Sequence, residues 1–296
     1  MTAGVLGALD VPVHSEPYRV DAAATIAYAR ATNDDNPAHL TGRLAPPVFA
    51  VVPALKTLVR AKRLAMDAFT LHGEHDIRFH RPIVPGMTLT VEARLVGVRT
   101  TPAGTTLIVH GITRAEDGSL VNEQYLVNIA HGAHGRRLAD DAGISAPDHR
   151  LSAGLRDTAP LAQTTYDLDP DQTRRYAEAS GDRDPYTFDA EEARRRGLPG
   201  PIVHGLCTMA FVSRAVVAAA CATDSRRLKR LAVRFSNLFM MRPGQRLLTT
   251  IWRADGDGGR RRFGCEAADP AGTIVIRHGW AEVDDAAEGA ETWRNR

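Results

Sequence analysis

The chain is poor in cysteine, and it carries no marked charge excess and no long uninterrupted apolar run. Its 296 residues include three cysteines, Cys207, Cys221 and Cys265, far apart and odd in number. None forms a Cys-x-x-Cys pair, which argues against a disulfide framework and against a zinc site, and leaves reduced, buried thiols of a cytoplasmic protein as the expectation. Formal net charge is +2 with a pI near 8.5, and the arginines are scattered. No nucleic-acid footprint is expected, although a modestly basic surface suits a ligand that carries phosphates. The N-terminus lacks a charged region followed by an apolar core, so no signal peptide is expected. The longest apolar run, Gly205 to Ala222, is broken by Thr208, Ser213 and Arg214 and reads as a buried helix, not a membrane span.

What is present is a turn, Asn33-Asp34-Asp35-Asn36-Pro37-Ala38-His39, with a carboxylate and an imidazole five residues apart. Proline fixes its own φ and pushes the preceding residue out of the helical region, so a helix ends near Asn33. Short Asp and Asn side chains bond the local backbone and can hold Asp34 and His39 in fixed directions. Acid–base chemistry needs such a pair within reach of one water or one substrate proton. Taken alone, the segment fits a solvated Asx turn with an incidental histidine better than a catalytic pair.

A second copy changes that balance. Tyr176 to Thr187 aligns without a gap on Tyr28 to His39, with Tyr, Ala, Ala, Asp and Pro coinciding. Further on, Arg78-Phe79 and Pro85-Gly86 are echoed by Arg234-Phe235 and Pro243-Gly244. A repeat of this length means two copies of one structural unit. The copies differ where it matters most, because Thr187 stands in the place of His39.

Each copy reads as α+β. Residues 1–14 look like a loose leader, Tyr18-Arg19-Val20 a short strand, and Asp21 the N-cap of a helix from Ala22 to about Thr32. Val48 to Ala68 has apolar residues at helical spacing. From Asp76 the period becomes two, as in Leu89, Val91, Ala93 and Leu95, with Asp117-Gly118 as a hairpin turn. One long helix followed by long antiparallel strands predicts a sheet that wraps its helix. The expected boundaries are 1–135 for the first unit, 136–160 for a linker, 161–285 for the second unit and 286–296 for a tail.

Gly181-Asp182-Arg183-Asp184-Pro185, followed by Gly197-Leu198-Pro199-Gly200-Pro201-Ile202-Val203-His204-Gly205-Leu206-Cys207-Thr208, resembles the MaoC-like, type-two (R)-specific enoyl-CoA hydratases. The resemblance covers nearly the whole chain and implies a double hot-dog fold, two tandem units each with a long central helix in a curled antiparallel sheet. It implies a hydro-lyase acting on acyl-CoA or acyl-carrier-protein thioesters, with no metal or redox cofactor and no membrane or nucleic-acid partner; a homodimer is common in such folds. Carried over position by position, the family's Asp/His pair falls on Asp34 and His39, supported by Asn36 and Pro37. Ala50 and Val51 stand where His204 and Gly205 stand in the second unit, and their backbone N–H groups are the expected stabilisers of charge on the thioester oxygen. In the second unit Asp182, Thr187, His204 and Gly205 form a relic of the motif, with His204 read as a satisfied histidine at a helix start. Two other functions are compatible with this reading: a non-catalytic or partner-dependent acyl-thioester-binding subunit, and a hot-dog thioesterase.

Overall fold

A computed structural model describes residues 7–67, 69–101, 104–130, 141–255 and 259–285. Asp21 caps α1 (Ala22–Ala31), accepting from the Ala23 N–H at 3.0 Å. The short α2 (Pro37–Leu40) follows, then a 3-10 turn (Pro47–Ala50) that leads into α3 (Val51–Ala65). Strands β1 (Val13–His14) and β2 (Tyr18–Arg19) precede this helical stretch. β3 (Leu71–Phe79), β4 (Thr88–Thr101), β5 (Gly104–Ala115) and β6 (Leu120–Ala130) follow it. The turn at Asp117-Gly118 joins β5 to β6, with Gly118 at φ 79.

After the short β7 (Ala142–Gly143), the second half repeats the plan: β8 (Ala162–Asp167), α4 (Gln172–Ser180), α5 (Ala190–Arg195) and α6 (Gly205–Ala220). It closes with β9 (Leu228–Phe235), β10 (Arg246–Ala254), β11 (Arg260–Ala268) and β12 (Ile274–Asp284). All the strands share one sheet, ordered β1-β4-β5-β6-β3-β9-β12-β11-β10-β8, with β2 and β7 also on β4. The alternation read from Leu89 to Leu95 buries all four apolar residues of that stretch, Val91, Ala93 and Leu95 in the core under α3 and Leu89 in the larger central cluster. Gly111 leaves room under α3 for Leu58, whose Cδ2 would lie 2.6 Å from a Cβ at that position.

The halves meet through equivalent parts. β3 pairs antiparallel with β9, from Glu74 opposite Arg234 to Arg78 opposite Arg230. α1 packs on α4, and the matching Tyr28 and Tyr176 bring their ring centroids to 5.8 Å. Like meets like across this seam, as in a two-fold dimer. Beside the seam Arg230 makes hydrogen bonds of 3.0 and 2.8 Å to the buried Asp76.

Two parts of the chain are bound more tightly than the sequence suggests. In the expected loose leader, Leu9 bridges to Leu95, Val13-His14 pair with Ala93 and Glu92, and Ala8 and Val13 are buried. The physical reason is that β4 would otherwise present an unpaired edge, which folded chains cover. Within the expected linker, β7 pairs with Gly97 and Val98, while Leu151 and Leu155 pack on Trp252. Residues 131–140 and the expected tail, 286–296, lie outside the described residues.

Candidate active site

α1 ends at Ala31, and Asn33 follows at φ 51. This is the left-handed region, where the second unit has Gly181 at φ 77. Asparagine tolerates that region better than other non-glycine residues, so the exchange leaves the turn intact. Asp34 is then drawn back, its N–H donating to the Ala29 carbonyl at 2.9 Å. Its Oδ1 accepts from the Asn36 N–H at 2.9 Å, and Asn36 Oδ1 in turn accepts from the Ala38 N–H at 3.0 Å, capping α2. Pro37 occupies the first helical position, where its missing N–H costs nothing. One turn of helix brings the His39 ring back over the carboxylate, with Nδ1 2.7 Å from Asp34 Oδ2. His39 is 1% exposed and Asp34 8%.

Residues of the other half close the site. Asn36 Nδ2 donates to the Thr223 carbonyl at 2.8 Å, and His39 Nε2 lies 2.8 Å from Ser225 Oγ. Arg214, the one charge on α6, makes a two-pronged contact with Asp35 at 3.0 and 2.6 Å and holds its carboxyl below the usual carboxylate range. A cavity of about 450 Å³ opens here, walled by Asp34, His39 and Val48 on one side and by Ala210, Ser213 and Val217 of α6 on the other. Sequence reasoning missed Arg214, Thr223 and Ser225. Only Arg214 left a signal, as a lone cation in an apolar helix.

The expected oxyanion donors, Ala50 and Val51, stand where the 3-10 turn passes into α3. Ala50 and Val51 are buried and do not wall the cavity, and the Val51 N–H already donates to the Val48 carbonyl. The 3-10 turn moves the helical stretch back to Pro47. The first residues of such a turn have no intrahelical acceptor, and Pro47 has no N–H. Among the described residues the Val48 N–H has no backbone acceptor, and Val48 is one of the residues that wall the cavity.

In the second unit the equivalent turn is closed without an imidazole. Thr187 is buried, and its Oγ1 donates to the Asp184 carbonyl at 2.7 Å. His204 Nε2 donates to the Asp182 carbonyl at 3.0 Å, and its Nδ1 has no partner among the described residues, so the expected satisfied histidine is half satisfied. Gly205 opens α6, where a Cβ would meet the Phe235 ring at 3.1 Å. Asp182, His204 and Gly205 border a separate cavity of about 650 Å³.

Burial, and secondarily Asp184, pushes the Asp182 carboxyl up to about 6, and burial pushes His204 down to about 4. These shifts act oppositely on stability. Between the ordinary carboxyl value and about 6, the folded chain keeps a proton on Asp182 that the unfolded chain has lost, so this contribution falls as pH rises through that window. Between 6.5 and about 4, the unfolded chain protonates His204 while the folded chain does not, so this contribution is lost as pH falls. Asp182→Asn removes the first penalty. After discounting for partial solvent access, the gain at pH 7.5 is about 1–2 kcal/mol, a rise in Tm of roughly 3–6 °C. Thermal melts of both proteins check it: the gain vanishes near pH 4, and an equal gain at both pH values would refute the assignment to Asp182.

Comparison with known proteins places this architecture among double hot-dog folds. The crystal structure of a MaoC-like dehydratase from Phytophthora capsici superposes with a TM-score of 0.78 at 23% identity, covering 97% of this chain and 100% of the other. Residues 153–271 match the MaoC like domain, and residues 9–124 match the FAS1-like, dehydratase domain region. The 3-hydroxyacyl-thioester dehydratase Y of Mycobacterium tuberculosis is 31% identical over 245 residues, 80% of each chain. The peroxisomal multifunctional enzyme type 2 of Mus musculus is 26% identical over 252 residues, 81% of this chain, and the match spans only 32% of that longer protein. The chain belongs to the MaoC-like dehydratase family. Among its described residues no helix is long and apolar enough to cross a membrane.

Proposed function

We propose that the chain is an (R)-specific enoyl-thioester hydratase and, in reverse, a 3-hydroxyacyl-thioester dehydratase, acting on acyl-CoA or acyl-carrier-protein substrates. The observation that carries this reading is the buried Asp34–His39 pair at the wall of the 450 Å³ cavity. Asp34 spends one lone pair on the Asn36 N–H and one on the His39 ring. An ionised carboxylate offers about four such sites, so acceptors remain for a water or a substrate hydroxyl.

In hydration, a water held on a free acceptor of Asp34, whose carboxylate His39 orients, gives a proton to that carboxylate as its oxygen bonds to C3. A proton is returned at C2 from the same face, which makes the addition syn, and the face of C3 that the water attacks sets the (3R) configuration. Negative charge develops on the thioester oxygen meanwhile. The amide of Val48, a residue of the cavity wall at the positive end of the helical stretch leading into α3, is placed to stabilise it.

The test is loss of the enoyl-thioester absorbance with crotonyl-CoA and a longer trans-2-enoyl-CoA, followed by chiral analysis of the product. Hydration to the (3R)-hydroxyacyl thioester is the expected result. Absence of hydration on CoA and carrier-protein substrates alike would leave a binding subunit, and release of free thiol would make the chain a thioesterase.

A further inference from the structure

We propose that Ser225 is a positioning residue that completes an Asp34–His39–Ser225 relay, with its third member supplied by the opposite half of the chain. The proposal rests on the hydratase reading above. Both nitrogens of the buried His39 ring are engaged, Nδ1 by Asp34 Oδ2 at 2.7 Å and Nε2 by Ser225 Oγ at 2.8 Å. An ionised carboxylate only accepts hydrogen bonds, so this network assigns a proton to Nδ1. Nε2 then accepts from the Ser225 hydroxyl when the ring is neutral and donates to its oxygen when the ring is protonated. A hydroxyl serves both by rotating. His39 can therefore gain and lose a proton without breaking a hydrogen bond.

The approach to Ser225 is built for this contact. Ala222 and Thr223, neither of them glycine, sit at φ 51 and φ 64. L residues adopt this conformation at a cost, and a β-branched threonine there is an outlier. Strain of this kind persists only where the surroundings over-determine it. Here the Thr223 N–H donates to the Val217 carbonyl at 3.2 Å, and the Thr223 carbonyl accepts from Asn36 at 2.8 Å. Asp224 then caps the 3-10 turn Ser225–Arg227. The left-handed pair thus ends α6 and delivers Ser225 to His39.

Ser225 does not wall the 450 Å³ cavity, so it acts through His39 and not as a nucleophile on substrate. It faces instead a separate space of about 30 Å³, shared with Asn122, His80 and Lys229, with room for about one water. A proton on Nε2 therefore has an exit away from the substrate. The other charges around the ring are paired: Arg214 with Asp35, Arg226 with Asp224, Lys229 with Asp284 and His80 with Glu123. Asp34 is the carboxylate in direct contact with the ring.

Steady-state kinetics across pH on Ser225→Ala, Ser225→Thr and Ser225→Cys, with ¹⁵N-histidine NMR of His39, tests the relay. In Ser225→Ala, kcat falls about tenfold to a hundredfold, the effect of one hydrogen bond to a charging group, while KM stays within about threefold. The limb of the kcat profile governed by His39 moves to lower pH, because an unpaired imidazolium N–H is costlier than an unpaired lone pair. Ser225→Thr restores most of the rate and the profile. Ser225→Cys, which keeps the volume, shifts both in the same direction as Ala and decides the matter if the alanine variant does not fold. Wild-type kcat and profile in the Ala or Cys variant would overturn the relay, as would a loss that threonine fails to rescue. If the wild type is inert on enoyl thioesters, the hydratase reading fails, and the NMR alone judges Ser225: an unmoved Nε2 resonance and titration midpoint in the variants would overturn the relay.

Discussion

His39→Ala lowers kcat for enoyl-thioester hydration by roughly 10²–10⁴-fold, the usual worth of a positioned acid–base group, with KM changed only a few-fold. Asp34→Asn falls in the same range. An amide keeps the shape of the carboxylate, but it cannot take a proton, and its NH₂ would oppose either the Asn36 N–H or the ring N–H that the carboxylate now accepts. The two groups work as one unit, so the double variant is barely slower than the worse single variant. Initial rates beside thermal melts separate chemistry from folding, since a rate loss tracked by a collapse in Tm would point to structure. Rates within threefold of wild type in both single variants would remove the pair from the reaction.

Arg230→Ala costs about 3–5 kcal/mol, because it leaves the Asp76 carboxylate buried and unpaired at the centre of the sheet. Asp76 is 3% exposed, and Arg230 is its bidentate partner across the β3–β9 seam. The control is the double replacement Asp76→Leu with Arg230→Met, which swaps the ion pair for apolar volume and is near neutral. Urea unfolding measures both. A cost below about 1 kcal/mol for Arg230→Ala would mean that water reaches Asp76, placing the pair in the class of exposed ion pairs.

The parts of this molecule that the sequence made legible are those governed by neighbours along the chain. Asn33 to His39 was readable because the Asx turn, the proline and one turn of helix all act within seven residues. β4, β5 and β6 were readable because a half-buried strand alternates. Ser225 left no mark, since its contact spans 186 residues and depends on a left-handed pair, Ala222-Thr223, that nothing in its composition announces. The 3-10 turn ahead of α3 was not legible, for a local reason that spacing conceals. Pro46-Pro47 starts a 3-10 turn before the helix proper, which leaves the Val48 N–H without a backbone acceptor among the described residues. The edge-covering role of residues 8–14 depends on β4 alone and cannot be seen from their own pattern.

The pairing of β3 with β9 has a consequence for how this site is held and how it can change. In an assembly of two identical chains, every substitution appears twice and the composite site falls apart on dilution. Here both partners lie on one polypeptide, so assembly of the site is independent of protein concentration, the limiting case of a high effective concentration. A single exchange also alters one copy alone. Thr187 could replace a histidine in one half while His39 stays in the other, and Ser225 needs to exist only once.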